Sequence, residues 1–201
     1  MSSQESGSPQ ARGALFSTRV EDALTVALQA HAGQVRKGRP EVPYVVHPMH
    51  VARLAARFSD DEDVYLAALL HDVVEDCDAW CLEDLERRFG QRVAGIVDEL
   101  SEDKRDSWKV RKDRTIEHVP DLSAEAVLIK ACDKLHNMRS LVRDLEERDH
   151  DAVWKSFSGR KEGTLSVARR LADALEPHVP AELARELLAT VAEVERLADG
   201  S

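Results

Sequence analysis

Apolar residues recur at helical spacing along almost the whole chain, and this periodicity most limits its fold. The first such segment, which Gly33 ends, places on one face Val20, Leu24, Ala27 and His31. Comparable segments follow at residues 47–58, 61–76, 82–89, 91–100, 107–118, 123–147, 166–175 and 181–197. No stretch alternates apolar and polar residues over a convincing length, and no internal repeat is present. We therefore predict an all-α fold of about eight to ten helices.

The length of the chain indicates a single folded unit. With 201 residues and 22.4 kDa it suits one domain, and a second catalytic domain would not fit. Residues 1–14 are rich in Ser, Gly and Gln and offer little to bury. We expect a disordered tail at 1–14 and one domain at 15–201.

Cysteine usage and hydropathy indicate the compartment. Cys77, Cys81 and Cys132 are too few and odd in number for a disulfide framework. No apolar run is long enough to span a bilayer, and the N-terminus lacks the basic and apolar regions of a signal peptide. We expect a cytoplasmic protein that does not bind membranes.

The charge balance narrows the class of partner. A formal net charge of −10 argues against nucleic acid, because affinity for its backbone comes largely from Lys and Arg. The basic loop Arg36-Lys37-Gly38-Arg39 could still bind a small anionic molecule. The sequence carries no signal for an oligomeric state.

A cluster of ionisable residues interrupts the otherwise apolar segment 61–76. His71, Asp72, Glu75 and Asp76 fall within about 140° of one helix face. This face continues the apolar stripe of Val64, Ala67 and Ala68, which indicates that the cluster points inward. Buried neighbouring carboxylates repel one another unless a cation neutralises them, and a divalent metal does so.

The alternative interpretation is a solvated acidic helix end. The inward stripe argues against it, as does the helix dipole, which disfavours negative charge at a C-terminal end. A mixed set of imidazoles and carboxylates suits Mn²⁺, Fe²⁺ or Zn²⁺. Further ligands would come from elsewhere, and His47 and Asp133 are the candidates. Periodicity alone, however, predicts that one polar stripe of this segment faces solvent. The stripe consists of Lys130, Asp133, Lys134 and Asn137.

Several ordered motifs between about residues 23 and 145 carry a family resemblance. They are Arg36-Lys37, Pro43-Tyr44, His47-Pro48, Leu69-Leu70-His71-Asp72-Val73-Val74-Glu75-Asp76, Phe89-Gly90, Asp103-Lys104, Arg111-Lys112 and Asp133-Lys134-Leu135-His136-Asn137-Met138-Arg139. With these motifs the chain resembles the HD-domain hydrolases of the RelA/SpoT family, especially the small alarmone hydrolases related to the metazoan SpoT homologue.

The resemblance implies a set of roles at these positions. One Mn²⁺ ion, with Fe²⁺ or Zn²⁺ as alternatives, would be held by His47, His71, Asp72 and Asp133. Glu75 and Asp76 would orient or deprotonate the attacking water. The substrate would be contacted by Arg36, Lys37, Tyr44, Lys104, Lys134, Asn137 and Arg160. His31 and His136 are interpreted as hydrogen-bonded structural histidines.

The implied reaction is hydrolysis of the 3′-pyrophosphate of the alarmone (p)ppGpp to GDP or GTP and pyrophosphate, a step of the stringent response. The chain departs from the family where an aromatic residue should follow Arg160 by four positions, because Thr164 stands there. Another phosphorylated nucleotide, such as NADPH, is therefore an alternative substrate. A non-catalytic nucleotide sensor is a further alternative, although a sensor would need neither Glu75 nor Asp76.

Overall fold

The computed structural model describes residues 17–102 and 105–200, and most of them are helical. The helices are α1 Thr18–Ala30, α2 Val46–Ala55, α3 Glu62–Leu70, α4 Val73–Asp76, α5 Leu82–Phe89, α6 Gln91–Leu100, α7 Trp108–Glu117, α8 Ala124–Glu147, α9 His150–Lys155, α10 Arg160–Leu175 and α11 Ala181–Asp199. The prediction of an all-α fold is confirmed. The expected tail at 1–14 and the predicted substrate contact Lys104 lie outside the described residues.

Helix α8 is the axis of the fold, and helices α2, α10 and α11 all pack against it. Its start is capped by Ser123, whose hydroxyl accepts a hydrogen bond from the amide of Ala126. The apolar stripe predicted for this helix is buried, including Ala131, Leu135 and Met138. The polar stripe of the same helix lines a cavity rather than facing open solvent. Its residues are Lys130, Asp133, Lys134 and Asn137.

The predicted basic loop Arg36-Lys37-Gly38-Arg39 is part of a short antiparallel hairpin. Strands β1 Val35–Arg36 and β2 Arg39–Pro43 pair across a turn in which Gly38 has a φ of 72°. Such short strands leave no alternating pattern, so the periodicity analysis did not find them. The guanidinium of Arg39 fastens the hairpin to α8 through the carboxylates of Asp144 and Glu147.

The segment predicted as one helix from residue 61 to 76 is broken. Helix α3 ends at Leu70, and α4 resumes at Val73 after a turn formed by His71 and Asp72. The backbone of Asp72 has a φ of −96° and a ψ of −6°, which departs from helical geometry, while its side chain is held by Tyr44. The prediction of a continuous helix was wrong. Apolar periodicity cannot reveal a two-residue turn whose side chains make contacts with distant parts of the chain.

The C-terminal part differs in detail from the sequence prediction. Helix α9 was not predicted, and α10 begins at Arg160 rather than at residue 166. The first turn of α10 is polar and contains a glycine, so it has little apolar periodicity from which its start could be predicted. Helix α11 was predicted well. No helix among the described residues is both long and apolar enough to cross a bilayer.

Candidate metal centre

Four predicted metal ligands converge from three separate parts of the chain. His47 lies in the first turn of α2, His71 and Asp72 form the turn between α3 and α4, and Asp133 lies on α8. The ligand atoms of His47, His71 and Asp133 lie within 4.8 Å of one another. Asp72 Oδ2 approaches the group from the side of the two imidazoles, 3.2 Å from His71 Nε2 and 3.6 Å from His47 Nε2.

The surroundings of His71 show that this cluster suits a cation. Its Nδ1 lies 2.9 Å from the carbonyl oxygen of Ala68, which can only accept, so Nδ1 carries the hydrogen and donates. This leaves Nε2 directed at the centre of the cluster. Nε2 is buried and makes no hydrogen bond within the described part of the chain, and its neighbour at 3.2 Å, Asp72 Oδ2, is itself a predicted ligand. A metal ion satisfies such a nitrogen, and the hydrogen bond behind it fixes the orientation of the ring.

His47 is oriented in a similar way by another histidine. Its Nδ1 lies 2.7 Å from Nδ1 of His136, and its Nε2 lies 3.0 Å from the carboxylate of Asp133. If Nε2 of His47 ligates an ion, its Nδ1 must donate, so Nδ1 of His136 must accept. His136 is thus a neighbour of the ligand cluster, a role that sequence reasoning did not assign to it.

The ionisation of the cluster indicates where positive charge is favoured. Burial would raise the pKa of Asp133, but the imidazoles of His47 and His71 outweigh it and lower this pKa to about 2. For His71, burial would lower the pKa, but Asp72 and Asp133 outweigh it and raise this pKa to about 9. Both shifts have one cause, which is that two half-buried carboxylates attract a positive charge to the buried imidazoles.

Glu75 and Asp76 line the same cavity as the ligand cluster. Glu75 Oε2 accepts a hydrogen bond from the backbone amide of Glu102, and Oε1 lies 4.0 Å from the guanidinium of Arg111. Burial, followed by the charge of Glu102, raises the pKa of Glu75 above its ordinary value. A carboxyl group with a raised pKa is a stronger base than an ordinary carboxylate, which suits it to taking up a proton.

The cavity around these residues has a volume of about 570 Å³, which is within the usual range for small-molecule sites. Its lining is rich in basic side chains from the hairpin, α7 and α8. These are Arg36, Lys37, Arg39, Arg111, Lys112, Lys130, Lys134 and Arg143. The cavity therefore combines a candidate metal centre with cations able to receive several phosphate charges.

The predicted substrate contacts on the hairpin and α8 are linked to the metal ligands. Arg36 donates to the amide oxygen of Asn137 at 2.6 Å, and Asn137 donates to Asp133 at 2.5 Å. Tyr44 donates to Asp72 at 2.7 Å, and the guanidinium of Arg36 lies 5.6 Å from the centre of the Tyr44 ring. The structure thus brings Arg36, Tyr44 and Asn137 together with the ligands.

Two predicted substrate contacts are lysines in the cavity, and a third contact lies outside it. Lys37 and Lys134 both line the cavity, and burial lowers the pKa of Lys134 to about 8. Arg160 is exposed and does not line the cavity, because its guanidinium donates to the carbonyl oxygen of Lys155. Arg160 has a φ of 51° at the start of α10, and Thr164, one turn later, lines the cavity.

Sequence reasoning missed further cavity residues. Arg111 and Lys112 were quoted as a motif without a role, and Lys130 was placed on a solvent-facing stripe. All three line the cavity. The family motif could have identified Arg111 and Lys112. Trp108 also lines the cavity, but no sequence pattern predicts this, because its neighbours come from distant parts of the chain.

Comparisons with known proteins agree with this geometry. The HD domain family matches residues 23–164. The chain is 41% identical over 124 residues to guanosine-3′,5′-bis(diphosphate) 3′-pyrophosphohydrolase MESH1 of Xenopus tropicalis, covering 61% of this chain and 69% of that protein. The MESH1 protein of Drosophila melanogaster is 40% identical over 146 residues, covering 69% of this chain and 81% of that protein.

A solved structure is similar over nearly the whole chain. It is described as a metazoan ortholog of SpoT that hydrolyzes ppGpp and plays a role in starvation responses. The TM-score is 0.73 at 33% identity, covering 92% of this chain and 97% of the other. The resemblance to HD-domain hydrolases of the RelA/SpoT type is confirmed.

Proposed function

The chain belongs to the HD-domain family of metal-dependent phosphohydrolases, and on this premise we propose that it removes the 3′-pyrophosphate of (p)ppGpp. The products are GDP or GTP and pyrophosphate. The observation that carries the proposal is the convergence of His47, His71, Asp72 and Asp133 in a cavity that also contains Glu75, Asp76 and many basic side chains.

The four ligands fit a divalent ion, and we propose Mn²⁺ as that ion. Two imidazole nitrogens and two carboxylates form a set that Mn²⁺, Fe²⁺ and Zn²⁺ accept, and no cysteine is part of it. When bound, such an ion lowers the pKa of water and neutralises charge on phosphate oxygens. The reactive end of the substrate therefore belongs beside His47, His71, Asp72 and Asp133.

Glu75 and Asp76 are assigned to the proton of the attacking water. The water oxygen forms a bond to the phosphorus next to the ribose, and the bond from that phosphorus to the ribose 3′ oxygen breaks. The water's proton passes to the carboxylate pair, and the ribose 3′ oxygen gains a proton as it leaves. The raised pKa of Glu75 supports this role, since a stronger base takes the proton more readily.

The basic residues are assigned to binding the phosphates. Lys37 and Lys134 supply ammonium groups, and Arg36 can fork toward a phosphate or lie against the purine. Tyr44 and Asn137 hold metal ligands and so position the reacting phosphate. Lys104 and Arg160 remain predicted contacts, Arg160 requiring its guanidinium to leave the carbonyl of Lys155.

The test is product formation from ppGpp. Purified protein with Mn²⁺ should release GDP and pyrophosphate in equal amounts, and a chelator should stop the reaction. The variant Asp133→Ala removes a ligand and should lose activity, whereas the exposed substitution Glu86→Ala should keep it. Absence of product from protein shown to bind the metal rejects the proposal.

A second candidate substrate is another phosphorylated nucleotide, such as NADPH. Two departures from the family pattern favour this candidate. Thr164 lines the cavity where the family has an aromatic residue, and Arg160, a predicted substrate contact, lies outside the cavity. The same assay run with a nucleotide panel ranks the substrates by kcat/KM. A protein that binds nucleotides without turning any of them over would instead be a sensor.

We place this activity in the cytoplasm. No disulfide joins Cys77, Cys81 or Cys132 in the described chain, which suits a reducing compartment. Localisation of a tagged full-length chain tests the assignment.

A further inference from the structure

One wall of the cavity carries no charged side chain. It is formed by Trp108 at the start of α7 and by Phe157, Thr164 and Val167 from the region of α9 and α10. The remaining lining includes eight Lys and Arg side chains, together with six Asp and Glu side chains that include the candidate metal ligands Asp72 and Asp133. We call the four residues the uncharged wall. Its contrast with the rest of the cavity points to a ligand with one highly anionic end and one neutral end.

Two glycines give Trp108 its place in this wall. A Cβ on Gly159 would lie 2.6 Å from Cζ2 of the indole, and a Cβ on Gly163 would lie 3.2 Å from its Cη2. Any larger residue at position 159 would therefore displace the ring. The benzo edge of Trp108 rests on the first turn of α10, and the side chain is only partly buried. A large aromatic surface is thus held at the cavity by a close fit.

Thr164 supplies an independent observation at the same wall. The residue is 8% exposed, and its hydroxyl oxygen is buried with no hydrogen-bond partner among the residues that the structure describes. A buried hydroxyl without a partner costs free energy, and a hydrogen bond to a bound ligand would remove this cost. Thr164 is among the residues that line the cavity, and its backbone and the indole of Trp108 both lie close to Gly159.

We propose that the uncharged wall binds the heterocyclic base of the substrate, with Trp108 stacking on the base and Thr164 hydrogen-bonding its edge. The inference rests on the proposed function in taking the substrate to be a nucleotide. None of the four side chains of this wall can neutralise a phosphate group, whereas a base offers both a planar face and polar edge atoms. Trp108 is then a specificity-determining residue.

The test compares a ligand that has a base with one that lacks it. GDP and inorganic pyrophosphate, the two products expected from ppGpp, are titrated by calorimetry into the protein with Mn²⁺. Trp108→Ala should weaken GDP binding about tenfold through lost stacking and leave pyrophosphate binding unchanged. Trp108→Phe should recover most of the affinity for GDP. Trp80→Ala is the matched control, since Trp80 lies beside Arg88 and does not line the cavity.

A smaller substitution protects the test against misfolding of Trp108→Ala. Thr164→Val keeps the shape of the side chain and should weaken GDP binding about threefold while leaving pyrophosphate binding unchanged. Unchanged GDP affinity in the variants, or equal losses for GDP and pyrophosphate, overturns the inference. Wild-type protein that binds pyrophosphate but not GDP overturns it as well. The protein could also bind GDP in a manner that depends on Trp108 and yet fail to hydrolyse ppGpp. That result would reject the proposed function and support the inference that the uncharged wall binds a base.

Discussion

At the scale of single residues, the candidate centre depends on hydrogen bonds that lie behind the ligands. The carbonyl of Ala68 fixes the ring of His71, and His136 fixes the ring of His47. Tyr44 and Asn137 hold Asp72 and Asp133 in the same way. Each predicted ligand therefore has a neighbour that limits its rotation, which keeps the four donor atoms aimed at one point before any ion binds.

His136 offers a direct test of this arrangement. Replacing it with Ala removes the acceptor for His47 Nδ1, and loss of such a contact typically weakens metal affinity by about 10–100-fold. His136→Asn keeps an acceptor oxygen and should retain much of the affinity. Mn²⁺ binding measured by calorimetry checks both, with the exposed substitution His178→Ala as control. Wild-type affinity in His136→Ala would show that His47 needs no support.

Glu75 should separate catalysis from metal binding. Its carboxylate lines the cavity but is not among the proposed ligands. Glu75→Gln removes a proton acceptor while keeping the shape of the side chain, so kcat should fall by about 10²–10⁴-fold with Mn²⁺ affinity unchanged. Steady-state kinetics and calorimetry on one preparation provide the comparison, with Glu86→Gln as control. Full activity in Glu75→Gln would assign the proton to another group.

At the scale of secondary-structure elements, short segments carry the chemistry and long helices hold them in place. The hairpin presents Arg36 and Lys37, and the turn between α3 and α4 presents His71 and Asp72. Helix α7 is attached to this region through Glu102, which accepts from Lys112 at 2.7 Å, Thr115 at 2.9 Å and Arg111 at 3.2 Å. Glu102 thus holds the basic face of α7 at the cavity.

The contribution of Glu102 should depend on pH. Burial would raise its pKa, but Lys112 and Thr115 outweigh it and hold the pKa below the ordinary 4.5. Its stabilisation is therefore present above pH 4.5 and is lost as the pH falls through the lower folded-state pKa. Glu102→Gln should cost about 1–3 kcal/mol of unfolding free energy at pH 7 and less at lower pH.

Urea unfolding at pH 7, 5, 4 and 3 measures this dependence, with Glu117→Gln at the end of α7 as control. Glu117 is exposed, so its substitution should leave stability nearly unchanged at each pH. The cost of Glu102→Gln should be the same at pH 7 and 5 and should shrink between pH 4.5 and 3, and a cost that stays constant or grows below pH 4.5 would contradict the assigned ion pairs.

The elements also show where sequence reasoning succeeded. Periodicity with capping signals placed most helices, including α5, α6 and α11, because each buries one apolar face. It failed at the hairpin, since two paired residues in β1 leave no pattern. It also failed at Asp133, because a polar stripe facing a cavity has the same periodicity as one facing solvent. Family motifs recovered Asp133, but not Trp108, whose role depends on Gly159 and Gly163 far along the chain.

At the scale of the whole molecule, the metal centre joins parts of the chain that are distant in sequence. Its proposed ligands lie on α2, the α3–α4 turn and α8, and all three regions contribute to one buried core. An ion bound there would hold these regions together. Folding stability and metal affinity should consequently be linked.

Thermal unfolding tests this linkage. Free Mn²⁺ at one hundred times its Kd should stabilise the protein by about 2.7 kcal/mol. For a chain of this size the melting temperature should rise by roughly 5–10 °C. Asp133→Ala should abolish the rise, whereas Glu86→Ala should keep it. An equal rise in Asp133→Ala would mean that Mn²⁺ stabilises the protein at another site.

The most direct measurement is anomalous diffraction at the manganese edge from crystals of the protein soaked in Mn²⁺. We expect one strong peak within coordination distance of Nε2 of His47, Nε2 of His71 and the carboxylates of Asp72 and Asp133. A peak that lacks His47 or Asp133 as a neighbour, or no peak at this cluster in crystals of active protein, would contradict the proposed centre.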